Sequence, residues 1–231
     1  ELVNCVPGLR GKGYAIVYDV MDEWQEFFKS GQAPWYDRQV EEQLVLQSDV
    51  VCCVAPALVE KFSGIRDDIL LIGNGYSEAV MGREHRGIAQ AWGAAQHVVG
   101  YFGHLTDAWF DWKLVFDLAA RHDDVRFEII GYGEPQWVRD QARSLDNLVL
   151  VGKVHPSELN THVRHWSVGI IPFVEGSLSR AVDPIKIYEY IYFGLPVFVT
   201  GIEHLQIYPG VVWAARDEAQ ARFASFLARK S

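Results

Sequence analysis

Residues 183–200 read DPIKIYEYIYFGLPVFVT, and this stretch decides the fold. Its opening pair, Asp183 and Pro184, is typical of a helix start, because aspartate caps free amides and proline tolerates the first helical position. Gly194 supplies a left-handed helix end, with Pro196 just beyond it. The run PVFVT that follows is apolar and predicts a buried strand. The stretch therefore predicts a helix that leads directly into a strand of a covered sheet.

The same alternation extends in both directions along the chain. Short apolar runs alternate with amphipathic stretches, which is typical of a sheet wound with helices. We therefore predict an α/β fold of the Rossmann-like type. The predicted strands are YAIVYDV, DVVCCVA, ILLIGNG, VVGYFGHL, VRFEIIGYG, LVLVGKV, VGIIPF and PVFVT. The predicted helices are WYDRQVEEQLVLQS, PALVEKFSG, FDWKLVFDLAARH, EPQWVRDQARS, PSELNTHVRHW, the helix of the opening stretch and DEAQARFASFLARK.

These strands fall into two series of unequal completeness. The second series suffices for an independent Rossmann-like domain, whereas the first would leave a sheet edge open. We predict a partial Rossmann-like domain at residues 1–80, a connector with some helix at 81–96 and a complete Rossmann-like domain at 97–231. Because Glu1 and a turn-rich VPGLRGKG segment open the chain, we expect an excerpt of a longer protein. Further strands are expected before Glu1, so the excerpt alone need not be active.

The composition argues against several classes of protein. Among 231 residues the net charge is −9, whereas nucleic acids and anionic membranes favour a basic partner. The cysteines, Cys5, Cys52 and Cys53, form no CxxC pattern and no even disulfide framework, so we expect a reducing compartment. No apolar run approaches the ~20 residues of a membrane span. We expect a soluble cytoplasmic protein that binds no nucleic acid.

Lys186 and Glu189 are the only charges inside the predicted helix. As a surface pair they would contribute only ~0.2–0.5 kcal/mol, and a lysine in the first turn opposes the helix dipole. A lysine added to the free amides of a helix start suits a diphosphate, and a glutamate one turn on can accept hydrogen bonds from two ribose hydroxyls. The residues alone leave a binding site and a structural pair both open.

The opening stretch resembles the nucleotide-sugar signature of GT-B glycosyltransferases, which include enzymes of bacterial polysaccharide and lipopolysaccharide assembly. VVGYFGHL, EIIGYGEP and LVLVGKVHPSELN are similar to further segments of the donor-binding domain, and IVYDVMDEW, EEQLVLQSDVVCCVAPAL and LLIGNGY to the end of the acceptor domain. The resemblance implies a two-domain enzyme whose donor is held chiefly by the second domain. By this resemblance Lys186 binds the diphosphate and Glu189 binds the ribose. Gly103 and His104 line the loop near the phosphates, and Tyr132 and Gly133 lie beside the nucleotide. Val154 presents backbone groups to the base.

The chain departs from the pattern of glycosyltransferase family 4 at several positions. Ala181 stands where many members carry an acidic residue, His104 where they carry an arginine, and Lys113 lies deeper in its helix than the family lysine. Arg180 is interpreted as the replacement cation, with Asp183 close by in sequence. An ordinary structural ion pair of these two residues is the alternative. The pattern is closer to the xanthan-type glucuronosyltransferase, in which a lysine also precedes an aromatic-rich helix.

Acidic residues follow the first predicted strand, where ligand crevices form in open α/β sheets. Inverting sugar transfer needs a base for the acceptor hydroxyl. The resemblance to the xanthan-type enzyme implies that Asp22 is this base. Capping of the next helix is the alternative for such a residue.

The sequence argues against a metal or redox cofactor. It contains no D-x-D, the spacing by which GT-A transferases hold a divalent metal, so we predict metal-independent stabilisation of the leaving diphosphate. GYGEPQ suggests a NAD site, but Gln136 replaces the third glycine of G-x-G-x-x-G. His162 and His165 have no third ligand nearby in sequence and are interpreted as surface histidines.

These observations predict a glycosyltransferase that uses a UDP-sugar or GDP-sugar as substrate and needs no cofactor. The acceptor is a glycan or a lipid-linked sugar in polysaccharide or lipopolysaccharide assembly, with peripheral association at the inner face of the membrane. Two alternatives stay open. One is a nucleotide-sugar epimerase of the same fold, and the other is a non-catalytic nucleotide-sugar-binding or scaffold module.

Overall fold

A computed structural model describes residues 2–87 and 96–228 of the chain. It confirms the predicted α/β class, since strands of two parallel sheets alternate with helices. Part of the predicted connector, residues 88–95, lies outside the described residues. The elements are α1 (Leu2–Arg10), β1 (Val17–Val20), α2 (Trp24–Lys29), α3 (Arg38–Gln47), β2 (Val50–Cys53), α4 (Pro56–Phe62), β3 (Leu70–Leu71), α5 (Glu78–Met81), β4 (Val98–His104), α6 (Trp112–Arg121), β5 (Arg126–Tyr132), α7 (Gln136–Ala142), β6 (Leu148–Gly152), α8 (Leu159–Val163), β7 (Val168–Pro172), α9 (Ser177–Arg180), α10 (Lys186–Phe193), β8 (Val197–Thr200), β9 (Val211–Trp213) and α11 (Ala219–Ala228). Short 3₁₀ helices lie at Arg83–His85, Pro156–Glu158 and Glu203–Ile207.

The chain divides into two compact units. The first combines Glu1–Asn74 with Ser177–Asp183, and the second combines Gly75–Gly176 with Pro184–Ser231. The sequence does not indicate that the segment with α9 belongs to the first unit, because no local signal marks it. The domain boundaries predicted above stay a prediction.

The first unit is built on a three-stranded parallel sheet in the order β1-β2-β3. Tyr18 lies opposite Val51, and Cys53 lies opposite Leu71. Helical and strand residues close an apolar core over one side of this sheet. Its fully buried members include Val20, Val45, Val51, Cys53, Leu58 and Phe62.

The segment VPGLRGKG, predicted as turn-rich, is helical as far as Arg10 and forms turns at Gly11, Lys12 and Gly13. Helix α1 runs through Pro7, which cannot donate a helical hydrogen bond. Val3 and Val6 of this helix are buried, and their burial offsets the missing bond. The expectation of turns was therefore wrong only for residues 6–10, where packing outweighs local residue preference.

A buried charged network also lies within the first unit. The Lys61 ammonium is 2.5 Å from a Glu23 carboxylate oxygen and 2.8 Å from one of Glu41. Tyr36 donates its hydroxyl proton to Glu41 at 2.9 Å. Glu41 is only 4% exposed, so its charge depends on these two partners.

The second unit contains a six-stranded parallel sheet in the order β6-β5-β4-β7-β8-β9. From β4 the chain proceeds outward through β5 and β6, then returns to place β7 on the other side of β4. The direction of winding therefore reverses between β4 and β7, and ligand crevices of open α/β sheets form at such a point. The last strand, β9, was not predicted from the sequence.

Close packing fixes helix α10 against this sheet. Tyr190 of α10 is fully buried, and its hydroxyl accepts a hydrogen bond from the Phe102 amide of β4 at 3.3 Å. A Cβ at Gly169 would lie 2.7 Å from the Tyr190 ring, so the glycine admits the ring. The helix is thereby held at the end of β4.

One histidine interpretation was wrong. His162 of α8 pairs through Nδ1 with Glu128, a residue of β5 that is only 9% exposed. This contact joins the helix to the sheet, so His162 is a packing residue, whereas His165 is exposed as predicted. Among the described residues, no helix has both the length and the apolar character needed to cross a membrane.

Candidate functional site

A cavity of about 610 Å³ lies in the second unit at the carboxyl ends of β4, β5 and β6. Carboxyl ends of parallel strands meet at one edge of a sheet, so side chains that follow different strands converge there. Helix α10 forms another wall. The structure brings together these predicted residues: Gly103, His104, Tyr132, Val154, Lys186 and Glu189.

The carboxyl end of α10 agrees with the sequence prediction, but its start does not. Gly194 ends the helix in the left-handed conformation, with φ of 82°. The helix begins at Lys186 after Ile185, and no side chain caps it. Asp183 is instead buried, and its Oδ2 accepts a hydrogen bond from the Asn74 amide at 2.6 Å. The predicted capping role of Asp183 was therefore wrong, because a residue distant in sequence binds its carboxylate.

The expected free amides of the first turn are also largely occupied. The Pro184 carbonyl accepts from the Ile187 amide at 3.0 Å, and the Ile185 carbonyl accepts from the Tyr188 amide at 3.0 Å. Such short-range bonds tighten a helix start and satisfy its donors. The positive charge at this wall of the cavity therefore comes chiefly from the Lys186 ammonium.

The Lys186 side chain lies against aromatic rings. Its Nζ is 5.3 Å from the ring centroid of Tyr101 and 5.5 Å from that of Phe173, within the range of cation–π attraction. A Cβ at Gly103 would lie 3.2 Å from Lys186 Cε, so the glycine leaves room for the lysine. Burial lowers the pKa of Lys186 to about 8, although the nearby Glu189 carboxylate acts in the opposite direction.

Glu189 lies one helical turn further along the same wall. Burial raises the pKa of its carboxyl group, and the Lys186 charge partly opposes that change. Glu189 also lines an adjoining cavity of about 390 Å³. Within the described part of the chain, no carboxylate lies within 4.0 Å of Lys186 Nζ, and the Glu189 carboxylate makes no hydrogen bond. The structural ion pair of these two residues is thus not formed.

The glycine loops bring two strand ends into close contact. A Cβ at Gly131 would lie 1.9 Å from the Gly103 carbonyl oxygen, and one at Gly133 would lie 2.6 Å from His104 Nε2. The His104 and Tyr132 rings meet edge to face at 5.1 Å. Because Gly133 has no side chain, the His104 ring can lie against it and form part of the cavity wall.

Lys153 was missed by the sequence analysis. It follows β6, lines the cavity beside Val154, and its Nζ is 5.2 Å from the centroid of the Tyr132 ring. A lysine in a loop carries no local signal for this contact, because Tyr132 belongs to a different strand. The segment LVLVGKVHPSELN, which contains Lys153 and resembles part of the donor-binding domain, was the one available pointer.

Arg180 and Asp183 belong to the first unit. Arg180 is exposed at the end of α9. The Asp183 carbonyl accepts a hydrogen bond from Asn74 Nδ2 at 2.6 Å, which adds to the carboxylate contact. Donor binding by these two residues stays a prediction.

Asp22 follows β1 in the first unit and is partly buried. Burial raises the pKa of Asp22 to about 6. The cap of the next helix, α2, is Glu23, whose carboxylate accepts a hydrogen bond from the Gln25 amide at 3.2 Å. The capping alternative therefore applies to Glu23, and the catalytic role of Asp22 stays a prediction.

Two Rossmann-like units of parallel sheet and helices are the fold of GT-B glycosyltransferases. Residues 96–225 match the family described as "Glycosyl transferases group 1". The chain belongs to this family, and the resemblance noted in the sequence is confirmed.

Individual relatives are distant. The chain is 22% identical over 205 residues to TuaH of Bacillus subtilis (strain 168), a protein named as a teichuronic acid biosynthesis glycosyltransferase. That match covers 81% of this chain and 50% of TuaH, so the chain spans half the length of this relative.

Two solved structures show the same fold. The lipopolysaccharide outer core galactosyltransferase WaaB, in its apo form, gives a TM-score of 0.71 at 13% identity, over 98% of this chain and 70% of WaaB. HepE of Anabaena, in complex with UDP and glucose, gives a TM-score of 0.65 at 15% identity, over 99% of this chain and 65% of HepE.

Proposed function

We propose that this protein transfers a sugar from a nucleotide-diphosphate donor to a glycan or lipid-linked acceptor in polysaccharide or lipopolysaccharide assembly. Membership of the group 1 family supports sugar transfer. The names of TuaH and WaaB support surface glycans as products. The HepE structures hold UDP and UDP-glucose, which makes UDP the first nucleotide to test. A lipid-linked acceptor would bring the protein to the cytoplasmic face of a membrane.

One observation carries the proposal: Lys186 and Glu189 both line the cavity at the strand ends without pairing with each other. In the proposed reaction, negative charge grows on the diphosphate as its bond to the sugar breaks. The Lys186 ammonium stabilises that charge, and no metal ion is needed. Glu189 accepts hydrogen bonds from the ribose hydroxyls, and Asp22 takes the proton of the attacking acceptor hydroxyl.

Calorimetry with UDP tests the donor site on this chain. We expect Lys186→Ala and Glu189→Ala each to weaken UDP binding about 10- to 100-fold, as for loss of a hydrogen bond to a charged group. Lys113→Ala is the matched control, because Lys113 pairs with Asp117 at 3.0 Å on α6 and lies outside the cavity. Unchanged UDP affinity in both site variants would refute the donor site.

Product analysis separates the enzyme classes. Incubation of the protein with a UDP-sugar and a glycan acceptor should yield a new glycosidic bond and free UDP. Release of an isomeric UDP-sugar without any acceptor would instead identify an epimerase. A folded protein that binds no nucleotide would be the scaffold alternative.

A further inference from the structure

Lys153 is a second cation at the cavity, and the proposed mechanism gives it no role. It follows β6, lines the cavity and has an exposed side chain. In the part of the chain that the structure describes, no carboxylate lies within 4.0 Å of its Nζ. The ammonium lies over the π face of Tyr132, 5.2 Å from the ring centroid. An unpaired cation of this kind is available to a ligand.

Tyr132 offers a flat surface next to that cation. Its residue exposure is 54%, and its ring also lines the cavity. The edge-to-face contact with His104 at 5.1 Å supports the ring from one side. Aromatic rings that are supported in this way stack with planar ligands, and each stacked base contributes about 1–3 kcal/mol in single-stranded nucleic-acid complexes.

A nucleoside diphosphate consists of a diphosphate, a ribose and a nucleobase. The cavity offers a buried cation, a carboxylate and an aromatic ring with a second cation beside it. In the proposed function, Lys186 receives the diphosphate and Glu189 the ribose. The flat ring with an adjacent ammonium is left for the nucleobase. An ammonium group only donates hydrogen bonds, so it favours a carbonyl oxygen over an amino group at the base edge. Uracil carries such oxygens, whereas adenine carries none.

We propose that Lys153, supported by Tyr132, selects a donor whose nucleobase carries a carbonyl oxygen, as in uracil. On binding, the base takes the place of the ammonium over the Tyr132 ring. The exposed Lys153 side chain moves to the edge of the base, where its ammonium donates to that oxygen. This inference rests on the proposed function, because it assumes that the cavity holds a nucleotide. It adds a specificity residue that distinguishes among nucleotides with the same diphosphate.

Calorimetry of this chain with UDP, ADP and inorganic pyrophosphate tests the inference. We expect Lys153→Met to weaken UDP binding about 10-fold and to leave the ADP and pyrophosphate affinities within about twofold. Tyr132→Leu should weaken binding of UDP but not of pyrophosphate. Lys113→Met on α6 is the matched control, since it removes an exposed lysine outside the cavity.

Each contrary result has a distinct meaning. Equal losses of UDP and pyrophosphate affinity in Lys153→Met would assign this lysine to the phosphates and overturn base selection. Unchanged UDP affinity in Lys153→Met would overturn it as well, and if Lys186→Ala still lost UDP binding, the proposed function would stand. Absence of UDP binding by the folded, unsubstituted chain would overturn both.

Discussion

Lys186 carries its charge where burial disfavours it. Burial lowers the pKa of this ammonium to about 8, and the side chain lies against two aromatic rings and a glycine. A change of one pKa unit corresponds to about 1.4 kcal/mol of free energy between the charged and neutral forms. Burial therefore disfavours the charged form of Lys186 by about a few kcal/mol. An anionic ligand would relieve this cost, which is the physical reason to place the diphosphate here.

The pH dependence of UDP binding should report this group. Above pH 8 Lys186 loses its proton in the free protein, while a diphosphate keeps its charge state above about pH 7. We expect the affinity for UDP to fall by up to about tenfold per pH unit above pH 8, measured by calorimetry. Lys186→Arg keeps its charge at these pH values and should give a flat profile. A flat profile in the unsubstituted protein would contradict the assignment.

Glu189 should act on the ribose alone. UDP that lacks both ribose hydroxyls should bind the unsubstituted chain about 10- to 100-fold more weakly than UDP, since loss of a hydrogen bond to a charged group costs about 1.5–3 kcal/mol. In Glu189→Ala the two ligands should bind alike. Comparing the two ligands in both proteins isolates the contact between Glu189 and the ribose hydroxyls, as in a double-mutant cycle. If the ratio of the two ligand affinities were the same in Glu189→Ala as in the unsubstituted chain, the hydroxyls would bind elsewhere.

Helix α10 shows which parts of an element its own sequence determines. Its apolar faces and Gly194 end were predicted, because both depend on residues within the stretch. Its start was predicted wrongly, because Asp183 binds Asn74, 109 positions away in sequence. Lys153 was missed for a similar reason, since it follows β6 whereas Tyr132 is the last residue of β5. Sequence pattern gives the element, whereas contacts between elements decide the site.

The contact between the ends of β4 and β5 should tolerate no side chain. Gly131 combines a φ of 153° with a Cβ position 1.9 Å from the Gly103 carbonyl oxygen. We expect Gly131→Ala to lower the free energy of unfolding by about 3 kcal/mol or more, from backbone strain and overpacking together. Gly152→Ala, with φ of 85° and open space, should cost only about 1–2 kcal/mol. Equal losses in urea unfolding would contradict the steric reason.

At the scale of the molecule, sequence alternation was enough to predict two series of strands and the α/β class. It did not predict that Ser177–Asp183 belongs to the first unit, because tertiary contacts alone assign it there. Nor did it reveal the Glu23–Lys61–Glu41 network, whose members come from three separate segments. A buried network of this kind makes the first unit sensitive to single charge changes.

Removal of the central cation should therefore be costly. Lys61→Met leaves two largely buried carboxylates without their cation, and we expect a loss of about 3–5 kcal/mol in the free energy of unfolding. Lys113→Met, which breaks an exposed i,i+4 pair, should cost no more than ~0.5 kcal/mol. Chemical denaturation of both variants makes the comparison. A small loss for Lys61→Met would show that water reaches the network.

The proposed catalytic role of Asp22 is tested by sugar transfer, which requires the whole enzyme with its donor and acceptor. Asp22→Asn should lower sugar transfer at least ~100-fold and leave UDP affinity unchanged, as expected for loss of a general base. Because the pKa of Asp22 is about 6, transfer by the unsubstituted enzyme should rise between pH 5 and pH 7 as the carboxylate ionises. Near-normal turnover of the variant, measured as UDP release with acceptor, would remove Asp22 from the mechanism.

A crystal structure of the chain with UDP tests the central claim most directly. The account predicts the diphosphate within hydrogen-bond distance of Lys186 Nζ and the ribose hydroxyls at the Glu189 carboxylate, inside the cavity at the ends of β4, β5 and β6. UDP bound at another place, with Lys186 and Glu189 untouched, would contradict it.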